Sequence, residues 1–219
     1  MRIRILVTLL TLASSPALTQ KVAFGPLAGV ASSTWRGADV HPEPGYRSGF
    51  VFGGFVSRRM YKSLGLEADV FYVRKGMHDG TLSCPDPGSY CPPYVAMYTE
   101  DFVEIPLLVT VSTPIKFAPA IFAGGAVAFQ TSCTFGKSEP LVEPCDSIFS
   151  GNPGSGSQPP TPSMKRNDAL LVVGGAFSLG PFTLQARYDL GLTKFVVFHG
   201  TTLDYQTRAW LITAGYGFP

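Results

Sequence analysis

The chain is 219 residues long, enough for one or two domains, and a single β barrel is a common outcome at that size. Hydrophobic residues make up 45% of it and charged residues only 15%, against roughly 25% in an average soluble domain, so a wholly water-covered surface is short of charge. A net charge of +2, with no basic stripe interleaved with aromatics, excludes nucleic acid as a partner.

The opening stretch, MRIRILVTLLTLASSPALTQ, places Arg2 and Arg4 before an apolar run over 5–12, then small residues through Ala17 and Thr19. This is the order of a secretory signal peptide with cleavage between Ala17 and Gln20: residues 1–19 are expected to be removed and 20–219 to form one barrel domain. The apolar run is too short for a membrane-crossing helix, which needs roughly 20 residues. Later apolar runs, IFAGGAVAF (121–129) and ALLVVGGAFSL (169–179), are also short and rich in glycine, which suits strands.

Beyond the leader, eight period-two runs bounded by turn residues follow in order: 23–32, 49–57, 64–73, 102–111, 117–131, 169–179, 182–192 and 203–218. The connections are of two kinds. RRMYK, STPIK and GP are tight, whereas 33–48, 74–101, 132–168 and 193–202 are long, and the two kinds alternate without exception. Short turns at one end and long loops at the other, with an even strand count, predict an all-β fold: an eight-stranded antiparallel up-and-down transmembrane barrel with four long external loops. The Pro-rich run SGNPGSGSQPPTPS (150–163) reads as the tip of the third loop.

Residue parity assigns the faces. Trp210, Ile212, Ala214, Tyr216 and Phe218 share one side of the last strand; Val103, Ile105, Leu107, Val109 and Val111 share one side of the fourth; Leu64, Leu66, Ala68, Val70 and Tyr72 one side of the third. Bulky apolar residues thus face outer-membrane lipid, because hydrocarbon cannot satisfy polar groups. The opposite parity puts Glu67, Asp69, Glu104, Gln185, Arg187 and Asp189 in the lumen, with Asp69 and Arg187 at comparable depth on opposed strands. An eight-stranded lumen has room for side chains and little more, so this polar cluster is expected to act as a structural plug; a gated pore or a cation site is the functional alternative. Pro106 removes a ladder donor in mid-strand and predicts a bulge there. Glycine pairs at 53–54, 124–125 and 174–175 read as kinks that let a small barrel curve. Tyr72, Phe102, Tyr188 and Trp210 are expected to form an outer aromatic belt, and Tyr61, Phe182, Tyr216 and Phe218 an inner one.

Four cysteines, Cys84, Cys91, Cys133 and Cys145, in an exported chain predict disulfides, with three connectivities open and the local pairs Cys84 with Cys91 and Cys133 with Cys145 preferred. The spacing fits no zinc site, and no metal or cofactor is expected. His41, His78 and His199 fall in loops, and no nucleophile motif occurs, so no catalytic residue is assigned; His199 with Asp204 is the one constellation an enzyme could use.

FGPLAGVASS near the mature start, LGLEADVFYVRKG (64–76), YTEDFVEIPLLV with Glu104-Ile105-Pro106-Leu107-Leu108, and ARYDLGLTKF together resemble the PorT-like outer-membrane β-barrel proteins. The resemblance implies the same eight-stranded barrel and no activity. The near-terminal Phe218 resembles the C-terminal aromatic signal read by the barrel-assembly machinery, which is expected as a partner, and Pro219 after it departs from the usual pattern. The chain reads as a monomeric, non-enzymatic structural or surface-binding protein whose loops meet an extracellular ligand or protein. A small-solute or ion pore, or a lipid-modifying enzyme, are the alternatives.

Overall fold

The computed structural model describes residues 22–37, 44–61, 63–79, 96–113, 118–137, 141–144, 167–193, 196–198, 201–203 and 206–218. Among these every regular element is a strand. Eight long strands close on themselves: β1 (Val22–Arg36), β2 (Gly45–Tyr61), β3 (Leu64–Asp79), β4 (Ala96–Ser112), β5 (Ala118–Lys137), β7 (Asn167–Leu179), β8 (Phe182–Gly191) and β11 (Gln206–Tyr216). Each pairs antiparallel with the next, and β1 pairs with β11, so the ring has no open edge within the membrane-facing wall. Three short strands are added outside the ring. β6 (Leu141–Pro144) pairs with the end of β5, while β9 (Val196–Phe198) and β10 (Thr201–Leu203) form a separate ribbon.

The parities decide which side is wet. Val30, Phe52, Val70, Leu107, Ile121, Leu184 and Ile212 stand exposed on the outer wall, while Phe71, Leu108, Phe122, Val172 and Leu211 are buried in the lumen. The outward apolar band runs over about nine residues of most strands (22–30, 64–72, 103–111, 210–218), the length a tilted strand needs to cross a bilayer. Inside, glycine makes room for bulk. Gly53 is the register partner of Phe71, and a Cβ on Gly174 would stand 2.5 Å from the Phe122 ring. The tight turn between β7 and β8 is Gly180-Pro181, with Gly180 at φ 59°, a left-handed conformation that glycine adopts without a steric penalty.

The external ends differ from the sequence reading. Residues 33–36, 45–48, 74–79, 96–101 and 132–137, expected in loops, are strand, and His78 with them. Backbone pairing continues there (Arg74 with Asp101, Gly76 with Thr99, Glu100 with Cys133) after the greasy alternation has ended, because hydrophobic contrast reports the membrane and not the ladder. The last barrel strand begins at Gln206, not 203, since 201–203 pair with 196–198. Pro106 produces no bulge: the β3–β4 register runs through it unshifted, with a local gap in the pairing, and the irregularity lies instead between Asp101 and Phe102 on the β5 side. Phe102 does not join the outer aromatic belt. It has the parity of Glu104 and is buried in the lumen, whereas Tyr188 and Trp210 stack outside with centroids 4.8 Å apart. At the other end Phe182, Tyr216 and Phe218 form an edge-to-face chain at 5.2 and 5.0 Å, and Phe218 bridges back to Phe24.

Candidate functional site

Inward parity on β3, β4 and β8 brings Glu67, Asp69, Glu104, Gln185, Arg187 and Asp189 to one side of the wall, and the small circumference brings them within reach of each other. Arg187 is the hub. Its Nη1 lies 3.3 Å from Asp69 Oδ2, its Nη2 3.9 Å from Glu104 Oε2 and its Nε 3.5 Å from Asp189 Oδ1, and its guanidinium carbon sits 4.1 Å above the centre of the Phe71 ring. Below it, Gln185 donates to Glu67 at 2.8 Å. Asp69, Glu104, Arg187 and Asp189 are all essentially without solvent contact.

A second cation, not expected from the strand bounds, joins the network. Lys75 on β3, assigned to a loop, continues the inward parity of Phe71 and Val73, donates to Glu104 and lies 3.8 Å from Asp189 Oδ2. Extending the strand by two residues would have found it. Two cations therefore serve four lumen carboxylates. Most of the contacts to Arg187 have ion-pair length and not hydrogen-bond length: Arg187 Nε and Nη2, Glu104 Oε2 and both Asp189 oxygens make no hydrogen bond. Mutual charge, with the Phe71 face beneath, holds this part of the network.

Above the apolar band lies a second polar layer. Trp35 Nε1 and Gln130 Nε2 each donate to Glu100 at 3.0 Å. Burial pushes the Glu100 carboxyl up to about 7, opposed by the Trp35 hydrogen bond and by Lys75. On the low side of the rim Asp168 accepts from the Thr193 backbone at 3.0 Å and from Thr207 at 2.9 Å, clipping β7 to β11. None of these was legible, because each depends on which strands become neighbours.

Other expected residues fall as follows. Cys133 lies opposite Glu100 on β5 and is disulfide-bonded; Cys84, Cys91 and Cys145, and with them the pairing, lie outside the described residues. His41, His199 and Asp204 also lie outside them, as do residues 1–21. No group of three or more His, Cys, Asp or Glu side chains with metal-binding geometry occurs among the described residues.

Residues 14–197 match the family model described as outer membrane protein beta-barrel domain. Solved structures of similar fold include Ail, the attachment invasion locus protein of Yersinia pestis, in complex with the heparin analogue sucrose octasulfate (13% identity, 90% of this chain and 99% of that chain covered, TM-score 0.43). Neisserial surface protein A is similar at 13% identity, with 90% and 99% covered and a TM-score of 0.47. The outer membrane protein OprG from Pseudomonas aeruginosa is similar at 10% identity, with 91% and 97% covered and a TM-score of 0.45. No curated protein matches the sequence. With the family match spanning most of the chain and the closed ring of eight strands beneath it, this outer-membrane protein belongs to the outer membrane protein β-barrel domain family.

Proposed function

We propose that this protein is a monomeric, non-enzymatic barrel that serves as a structural or surface-binding element through the connections at its external end. The filled lumen carries this reading. Phe71, Leu108 and Leu211 are buried beside the network of Arg187, Glu104 and Lys75, so the accessible chemistry is at the ends of the barrel. The ends are unequal. Strands β1 to β5 run several residues past the apolar band on the external side, while at the opposite side only a few residues separate consecutive strands. The reading includes loss of residues 1–19 on export, local disulfides Cys84 with Cys91 and Cys133 with Cys145, and assembly by the machinery that reads a C-terminal aromatic. The four motifs that resemble the PorT-like group support placing the chain within that branch of its family.

Surface proteolysis of intact cells expressing the full chain tests it. Cuts confined to 38–43, 80–95, 138–166 and 194–205 are expected. Cuts at 62–63, 113–117 or 180–181 before the membrane is broken would overturn it.

A second reading, a small cation-selective pore, draws on the excess of lumen carboxylates (Glu67, Asp69, Glu104, Asp189) over cations (Lys75, Arg187). Recording in planar bilayers separates the two. A silent bilayer supports the filled lumen, and discrete cation-selective steps establish the pore.

A further inference from the structure

The outer wall carries its own polar cluster where the apolar band ends. Phe50 and Phe52 on β2 and Tyr72 on β3 stack with centroids 5.1 to 5.9 Å apart, and the two phenylalanines are 42% and 53% exposed. Arg74 stands above them with its guanidinium carbon 5.0 Å from the centre of the Phe50 ring. Its Nε and Nη2 donate to the two oxygens of Asp101 at 2.8 and 3.2 Å, and Ser132 donates to the same carboxylate at 2.7 Å. Burial alone would raise the Asp101 pKa, but the hydrogen bonds from Arg74 and Ser132 hold it below the usual value. The carboxylate takes two of the five N–H donors of the guanidinium.

A second arginine, Arg47, lies beside Arg74 at a strand irregularity. Five steps along β2, from Tyr46 to Val51, match four along β3, from Met77 to Val73. Pairing with β1 runs unshifted through Arg47 and Ser33, so the extra residue is taken up on the β3 side, where the charges of Arg74 and Asp101 act on Arg47. Its Cδ passes 2.8 Å from where a side chain on Gly76 would begin. Gly76 has φ 154°, and its lack of a side chain lets the arginine cross. Arg47 Nε has no acceptor. Burial and the adjacent Arg74 both lower the pKa of Arg47, and Asp101 only partly opposes them.

We propose that Arg47, Arg74 and the exposed face of Phe50 form a binding site for the anionic phosphomonoester headgroup of an outer-leaflet lipid. Position and charge select this occupant. The patch is continuous with the hydrocarbon-facing band below it, so a tail lying on Phe52 and Phe50 brings its headgroup level with the guanidinium pair. Two arginines share one carboxylate, which leaves an uncompensated positive charge, and a phosphate matches the planar donors of arginine. Asp101 holds Arg74 upright over Phe50, so little ordering is required when the headgroup arrives.

The test uses the full chain in dodecyl maltoside, with native mass spectrometry reading retained lipid against added lipid A or phosphatidylcholine. Lipid A is expected to saturate at a concentration about tenfold lower than phosphatidylcholine. The pair Arg47→Gln and Arg74→Gln should abolish that preference, Phe50→Leu should weaken it several-fold, and Arg59→Gln at the opposite end should leave it intact. Millimolar inorganic phosphate should not displace the lipid. Should Arg74→Gln prevent folding, Arg47→Gln alone is read in its place and should still reduce the preference. Equal retention by the folded arginine variants and the unaltered chain, no preference for lipid A over the zwitterionic phosphodiester, loss of the preference in Arg59→Gln, or displacement by free phosphate would each overturn the proposal.

Discussion

Arg187 on β8 and Asp69 on β3 meet across the lumen at 3.3 Å, although 118 positions separate them in the chain. Both are buried, and the same guanidinium neutralises part of Glu104 and Asp189. Truncating it strands carboxylates in a medium that cannot solvate them. Arg187→Ala should therefore cost about 3–5 kcal/mol, read as a lower urea midpoint for the chain refolded in detergent. Arg187→Met combined with Asp69→Leu should recover only part of the loss, because Glu104 and Asp189 are then left with Lys75 alone. An unchanged midpoint in the single variant would show that the network does not contribute to holding the barrel together.

Adjacent glycines on β7 should respond in opposite ways. Gly174 points inward, where a Cβ would meet the Ala186 carbonyl and the Phe122 ring, both at 2.5 Å. Gly175 points outward, and its nearest neighbour would be the Ala120 carbonyl at 3.5 Å, an ordinary contact. Gly174→Ala should destabilise by about 1–3 kcal/mol and Gly175→Ala by little or nothing. Equal midpoints for the two would mean that the lumen is less tightly filled than described.

Depth in the bilayer should set the cost of charge on the outer wall. Leu107 lies at the centre of the β4 apolar run and Val103 at its external end. Arginine at 107 should cost about 2–4 kcal/mol and at 103 about 0–1, measured as refolding stability in lipid vesicles. The opposite ranking would misplace the membrane along the strands.

Glu100 should make stability fall as pH rises. Its folded carboxyl titrates at about 7 because it is buried, despite donors from Trp35 and the nearby Lys75, whereas an unfolded glutamate titrates at roughly 4.3. Between those values the folded state keeps a proton that the unfolded state has lost. Its contribution is thus fully present below the unfolded pKa and is lost as pH climbs through about 7. Glu100→Gln, with Gln130 turning its carbonyl toward the new amide, should flatten the decline between pH 5 and 8. An identical slope in the variant and the parent chain would assign the titration elsewhere.

How far the sequence reached can be traced residue by residue. Alternation at Trp210–Ile212–Ala214 and at Ile105–Leu107–Val109 is a local property, and each bulky position is exposed on the outer wall. The alternation of short and long connections sufficed for strand count and antiparallel order, since a tight turn can only join neighbours. Lys75 and Glu100 escaped because hydrophobic contrast stops at the membrane surface while hydrogen bonding does not. Phe102 was misplaced by depth, although its parity with Glu104 was readable.

By itself, then, the chain determined its periodicity, its facing and its closure into eight strands, all consequences of backbone geometry meeting an apolar solvent. Only the folded ring decided which charges meet: that Arg187 reaches Asp69, that Lys75 reaches Glu104, and that Arg47 comes beside Arg74. Contacts across a barrel depend on register, tilt and bulges summed around the whole circumference, and no stretch of sequence carries that sum.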